Sequence, residues 1–294
     1  SGGAASSASS ETPSSEFPTA SAESASSEET TGGDMTGEIT VLSREDGSGT
    51  RGAFIELTGV EEKTADGKKV DNTTADAEIA NKTDVVLTSV AGNEKAIGYI
   101  SLGALNDTVK AVKVDGAEAT VDNVKAGAYK LSRPFNIATK GEPTGVAKDF
   151  ISFILSKEGQ AVVTDNKYIA VNDAAESFVS DGSSGQIAVG GSSSVSPVME
   201  KLIEAYKSVN PNASIDLQTS DSTSGMTGAM DGTFAIGMAS RELKDEEAAQ
   251  LTGTAIALDG IAVIVNPANT IDELSMDQIK SIYVGDITDW GDLA

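Results

Sequence analysis

Apolar positions in this chain come in short bursts separated by polar, glycine-rich stretches. Ile39-Thr40-Val41-Leu42 is β-rich and stops at the run Ser43 to Gly52, after which Ala53-Phe54-Ile55-Glu56-Leu57 has helical spacing. The order predicted is strand, Gly-rich loop, helix. Residues 61–76 are polar and read as a loop, Ala77–Ala91 as a helix and Ala96–Leu102 as a strand. Thr108–Val114 and Ala119–Val121 are strand-like, and Phe135–Thr139 is a further strand. Val146–Ser156 and Glu158–Thr164 read as amphipathic helix, with Ile151, Ile154 and Leu155 on one face.

Residues 173–185 are Ser, Asp, Gly and Ala, a surface linker by composition. A second unit then opens with the strand Ile187–Gly191, the loop Ser192–Pro197 and the helix Val198–Val209. Ser214–Leu217, Phe234–Met238 and Ile261–Val265 are predicted strands, and Met276–Ile282 a helix. Alternating strands and helices imply an α/β fold with largely buried sheets.

Composition narrows the chemistry. The chain has 294 residues, a length that suits two domains or one bilobed unit. Residues 1–37 hold little that is apolar beyond Phe17 and Met35, so they are expected to form a disordered Ser/Glu-rich tether. Such a segment suits a spacer from a membrane, the lipid anchor lying outside this sequence. With 21 Lys and Arg against 45 Asp and Glu, the charge of −24 excludes nucleic acid and a polybasic membrane patch. The chain has neither histidine nor cysteine. Ser-His and Cys-His nucleophile pairs are therefore impossible, and zinc, haem and iron–sulfur centres lose their usual ligands. Asp286, Asp289 and Asp292 lack the spacing of a calcium loop. No metal or cofactor is expected, and an enzyme is the least expected class.

Three loops share one character: Asp46–Thr50, Gly191–Ser196 and Ser220–Gly225 are each built of Ser, Thr and Gly after a strand. Where such a loop enters a helix, unsatisfied N–H groups and the positive end of the helix dipole make an anion site from neutral groups. Arg44 stands just before the first loop, where a guanidinium can grip an oxyanion bidentately and Asp46 can orient it.

Here a family resemblance enters. Ser43-Arg44-Glu45-Asp46-Gly47-Ser48-Gly49-Thr50-Arg51 resembles the signature of the phosphate-binding proteins of ABC transporters, the PstS-like periplasmic-binding family. Gly191–Pro197 resembles that family's first anion loop, and Phe234–Leu243, Ala96–Tyr99, Leu258–Asn266 and Ile287–Trp290 resemble further segments. The likeness covers about 38–294. The order differs: in the family the Arg44 loop comes last, whereas here it leads. Joining the end of the chain to its beginning restores the family order, so a circular permutant is expected, with the ancestral ends in 173–185. A tandem of fragments completing a neighbouring copy by swapping is the alternative.

The resemblance implies a two-lobed periplasmic-binding-protein fold of type II, with the ligand in a cleft between lobes. Lobe A would be 38–132 plus 261–294 and lobe B 133–260, with crossings near Ser132–Thr139 and Asp259–Val265. It further implies ligand contacts from Ser193, Ser194 and Ser222 on one side and Arg44, Ser48, Gly49 and Thr50 on the other, with Asp46 behind Arg44. Many family members have an aspartate where this chain has Ser240, a carboxylate that accepts the proton of hydrogen phosphate and excludes sulfate. Asp259, then Asp221, are the candidates to replace it, and Arg241 is a candidate second charge or the partner of Glu242 or Glu246. The implied function is capture of inorganic phosphate outside the cytoplasmic membrane and delivery to an ABC permease, by a tethered monomer. Receptors for sulfate, molybdate or tungstate, and a non-transport sensor or adhesin, share the fold and remain alternatives.

Overall fold

A computed structural model describes residues 35–293, so the predicted tether falls almost wholly outside the described residues. The first strand, β1 (Thr40–Arg44), runs into α1 (Gly49–Thr58). The short strands β2 (Glu61–Lys63), β3 (Lys69–Asp71) and β4 (Glu78–Ala80) precede α2 (Thr83–Ala91) and β5 (Ala96–Ser101). Two further short strands, β6 (Lys110–Ala111) and β7 (Lys113–Val114), and α3 (Val121–Lys125) lead to β8 (Ser132–Thr139). Next come α4 (Gly145–Leu155), α5 (Lys157–Asp165), β9 (Gly185–Ser192) and α6 (Ser196–Val209). They are followed by β10 (Ala213–Ser220), α7 (Ser222–Asp231), β11 (Ile236–Ala239) and α8 (Asp245–Ala248). The chain closes with β12 (Thr252–Val265), β13 (Glu273–Leu274) and α9 (Met276–Tyr283).

The main sheet runs β10-β9-β11-β8-β12-β5-β1-β4, with β6 on β12. Its outer strands are parallel neighbours, β9 with β10 and β11, and β1 with β4 and β5. Its centre is antiparallel: β12 pairs with β8 over Thr252–Gly260 and with β5 over Ile261–Val265. One long strand thus serves two halves of the sheet. The buried apolar residues follow the same division. One core gathers Phe54, Tyr99, Ile261, Tyr283 and Trp290, and a second gathers Phe135, Phe150, Phe153, Tyr206 and Ala257. Burial of these large side chains is the main stabilising term for each half.

The two ends of the described chain lie side by side. Ile39 N donates to Thr288 O at 2.8 Å, Trp290 N to Gly37 O at 2.9 Å, and Gly37 N to the Asp289 carboxylate at 3.0 Å.

Four segments depart from the sequence reading. Residues 61–76 contain the β2–β3 hairpin, whose side chains are mostly exposed and so leave no apolar signal. Ala77–Ala91 divides into β4 and α2, with Lys82 in extended conformation between them. Thr108–Val114 splits into β6 and β7 because each pairs elsewhere, with β12 and β13. Ala119–Val121 is no strand: the Thr120 hydroxyl accepts from Asn123 N at 3.1 Å and caps α3. Among the described residues no helix is long and apolar enough to cross a membrane.

Candidate functional site

β1 delivers Arg44 to the end of the sheet, where it is 2% exposed. Its main-chain N–H donates to the Tyr99 hydroxyl at 3.2 Å, and Tyr99 stacks on Phe54 with ring centroids 3.9 Å apart. Arg51, one turn into α1, donates from Nη1 to the Arg44 carbonyl at 2.6 Å and is tied to Asp71 at 2.8 Å. The backbone of Arg44 is therefore held from two sides. Its guanidinium donates from Nε to Glu45 Oε1 at 2.9 Å and from Nη2 to Ser193 Oγ at 3.0 Å. Ser48 caps α1 by accepting from Arg51 N at 3.2 Å.

The facing loops come from the other half of the sheet. Ser194 Oγ and Thr50 Oγ1 are 2.8 Å apart and both buried. Ser192 Oγ accepts from Ser194 N at 3.1 Å and donates to Ser240 Oγ at 2.8 Å. Ser222 opens α7, capped by Asp221, and its hydroxyl accepts from Ser240 N at 3.0 Å. Thr223 N donates to Gly47 O at 3.2 Å, which fastens the first loop to the third. Gly49 packs directly on Ser222 and Ser240, and a Cβ there would run into both hydroxyls. Only glycine permits this approach.

The structure thus brings together Arg44, Gly49, Thr50, Ser193, Ser194, Ser222 and Ser240, with Ser48 just behind at the cap. Hydroxyls, the starts of α1 and α7 and one guanidinium converge, a donor set suited to a compact oxyanion. A cavity of about 410 Å³ borders the cluster at Ser193 and Ser194, with Glu45, Lys82, Tyr168 and Asp221 among its walls. Among the described residues no group of acidic side chains could hold a metal ion.

Three expected residues stand elsewhere. The Asp46 side chain is 99% exposed and its nearest cation is Arg51 at 3.7 Å, so Glu45 orients Arg44 in its place. Arg241 is buried and its terminal nitrogens bind Glu247 at 2.6 and 3.0 Å, with further bonds to Glu242 O and Thr223 Oγ1. These bonds occupy both nitrogens, and the carboxylate is neither that of Glu242 nor that of Glu246. Asp259 bonds no member of the cluster: it accepts from Ser101 Oγ at 2.7 Å and Arg133 Nη2 at 3.2 Å. Burial pushes its carboxyl above the usual range, with Arg133 opposing.

Sequence reasoning missed Glu45, Ser192 and Arg133. Side-chain direction at a strand end, which decides between Glu45 and Asp46, is set by packing and leaves no trace in spacing. Arg133 did leave one: a charged residue among the apolar positions of a predicted crossing.

A family model described as the PBP superfamily domain matches residues 26–158 and 177–294. The phosphate-binding protein PstS 2 of Streptococcus agalactiae is 53% identical over 260 residues, which is 88% of this chain and 88% of that protein. A crystal structure of a phosphate ABC transporter, phosphate-binding protein from Streptococcus pneumoniae is 50% identical. It covers 88% of this chain and 100% of that one, with a TM-score of 0.72. The phosphate-binding protein PstS of Bacillus subtilis is 33% identical over 138 residues, 46% of this chain and 43% of that protein. With half its residues identical to PstS proteins along most of its length, and the superfamily model matched on both sides of residue 170, this chain belongs to the PstS phosphate-binding protein family of the PBP superfamily.

Proposed function

We propose that this chain captures inorganic phosphate between the Arg44 loop and the Ser193 and Ser222 loops and delivers it to an ABC importer. The observation that carries the reading is the buried Arg44 guanidinium reaching Ser193, 149 positions along the chain. Two halves of the molecule meet there through a guanidinium, hydroxyls and main-chain groups, and the relatives are named for phosphate. Arg44 supplies the charge. The hydroxyls of Thr50, Ser193, Ser194, Ser222 and Ser240, with the N–H groups of Gly49 and its neighbours, replace the hydration shell. Ser48 and Glu45 hold the first loop in shape.

In this reading each core is a lobe, 38–132 with 261–294 and 133–260, and β8 and β12 are the crossings about which they hinge. Closure then draws on contacts from both lobes to one ligand. The chain acts outside the cytoplasmic membrane, tethered through residues 1–37, with a permease as partner. The order of segments is that of a circular permutant shared with the streptococcal relative. Adjacent chain ends support this, as does a Bacillus match that spans under half of each chain where the streptococcal relative spans 88%. Calorimetric titration with phosphate and with sulfate tests the ligand. One phosphate per chain is expected; saturation by sulfate at equal affinity would replace phosphate by oxyanions generally.

A further inference from the structure

Arg133 and Asp259 form an ion pair that the anion cluster does not use. They are partners in the register of β8 and β12, Nη2 to Oδ2 at 3.2 Å, with both side chains 1% exposed. Each strand changes core at this point. Leu131 and Ile261 belong to the first core, Phe135 and Ala257 to the second. The pair is also incomplete: Arg133 Nε and Nη1 are buried with no hydrogen-bond partner, while the Asp259 carboxylate has the Gly103 N–H beside it. Burial pulls the Arg133 guanidinium below its usual range, with the Asp259 carboxylate opposing and the like charge of Arg44 adding to the fall, and the Phe135 ring lies 5.5 Å from it. Ser101, which donates to Asp259, and Tyr168 both wall the cavity beside Ser193 and Ser194.

A buried ion pair stabilises a state only when its remaining protons and lone pairs are met; otherwise a neutral pair of like shape does better. The arrangement seen here, with Thr50 on Ser194 and Arg44 on Ser193, leaves two nitrogens of the Arg133 guanidinium unmet. In the phosphate-binding reading, swinging the two cores apart widens the cavity walled by Ser101 and Tyr168 and brings water toward the pair that Ser101 contacts. Opening therefore relieves the pair, and closing strips it.

We propose that Arg133 and Asp259 set the affinity of the anion site from the crossing, without touching the ligand, by disfavouring the closed arrangement. The proposal rests on the phosphate-binding reading above. The ligand's contacts must offset the desolvation of the pair, so apparent affinity is the intrinsic affinity reduced by the fraction closed. Release is faster for the same reason.

The test is the double variant Arg133→Met with Asp259→Leu, titrated with inorganic phosphate and followed by stopped-flow release. Affinity is expected to tighten about tenfold, or 1.4 kcal/mol, with slower release. Simple damage to the fold moves both the other way. A folded double variant with unchanged or weaker affinity overturns the proposal. Should it fail to fold, label distances in the chain with Arg133 and Asp259 intact, and in Arg133→Lys, still decide. The chain has no cysteine, so Lys68→Cys and Lys207→Cys, both at exposed positions, place one spin label on each half. Without ligand, long separations are expected to dominate, and Arg133→Lys, which leaves fewer donors unmet, should shift them shorter. A ligand-free distribution already at the short distance, or one that Arg133→Lys leaves in place, overturns the proposal. Failure of the unaltered chain to bind phosphate overturns the functional reading instead, and the label distances still judge the pair.

Discussion

Arg44 and Glu45 are neighbours with separable duties, one to bind and one to aim. Removing the guanidinium with Arg44→Ala should weaken phosphate binding by roughly a hundredfold or more, since charge-assisted bonds contribute about 1.5–3 kcal/mol each. Glu45→Gln keeps the shape but loses the charge that holds Nε, and should weaken binding by about tenfold, the loss of one such charge. Asp46→Asn should change affinity less than about twofold, because its side chain is exposed and off Arg44. Calorimetric titration of the three variants checks all of this, and a large loss with Asp46→Asn and none with Glu45→Gln would reverse the assignment. Gly49→Ala should abolish tight binding while leaving the fold intact, because its Cβ collides across the interface with Ser222 and Ser240. At this scale residue types were legible in the sequence. Ser193, Ser194 and Ser222 stand out as hydroxyls in strand-to-helix turns. What each charged side chain points at was not legible, as Arg241 and its hidden partner Glu247 illustrate.

Elements are fixed by polar clamps as much as by apolar faces. Asp149 on α4 is buried and accepts from Tyr206 Oη at 2.6 Å, Ser180 Oγ at 2.7 Å and Asp181 N at 3.0 Å. It thus binds α6 and the segment before β9 to α4; burial first, and then the hydrogen bond to this carboxylate, favour the protonated form of the Tyr206 hydroxyl. Asp149→Ala leaves these donors unmet and should destabilise the fold by about 2–4 kcal/mol. A fall of several degrees in thermal midpoint with phosphate affinity unchanged would bear this out, since the clamp lies off the anion cluster. An unchanged midpoint would remove Asp149 from the account. The alternation of strand and helix was readable because buried strands such as Ile261–Val265 are apolar throughout. The β2–β3 hairpin and α3 were not readable, because exposed pairing and a threonine cap leave no hydrophobic period.

For the molecule as a whole, the charge of −24 and an anion ligand coexist because they act over different distances. Screening in salt erases fields beyond about 8–10 Å, whereas the ligand answers to a local guanidinium and dipoles. The rate of phosphate association should therefore rise with ionic strength as long-range repulsion is screened, while the dissociation rate stays nearly constant. Stopped-flow measurement across a salt series checks the split, and an association rate that falls with salt would contradict it. The pairing of Arg133 with Asp259 was not legible, because it depends on the register of β8 and β12, which spacing does not fix. The central claim is that Arg44 and the facing serines hold one phosphate. Isothermal titration of the whole chain with inorganic phosphate tests it most directly: one site per chain, lost in Arg44→Ala, is the predicted result, and no binding, or equal binding by Arg44→Ala, contradicts it.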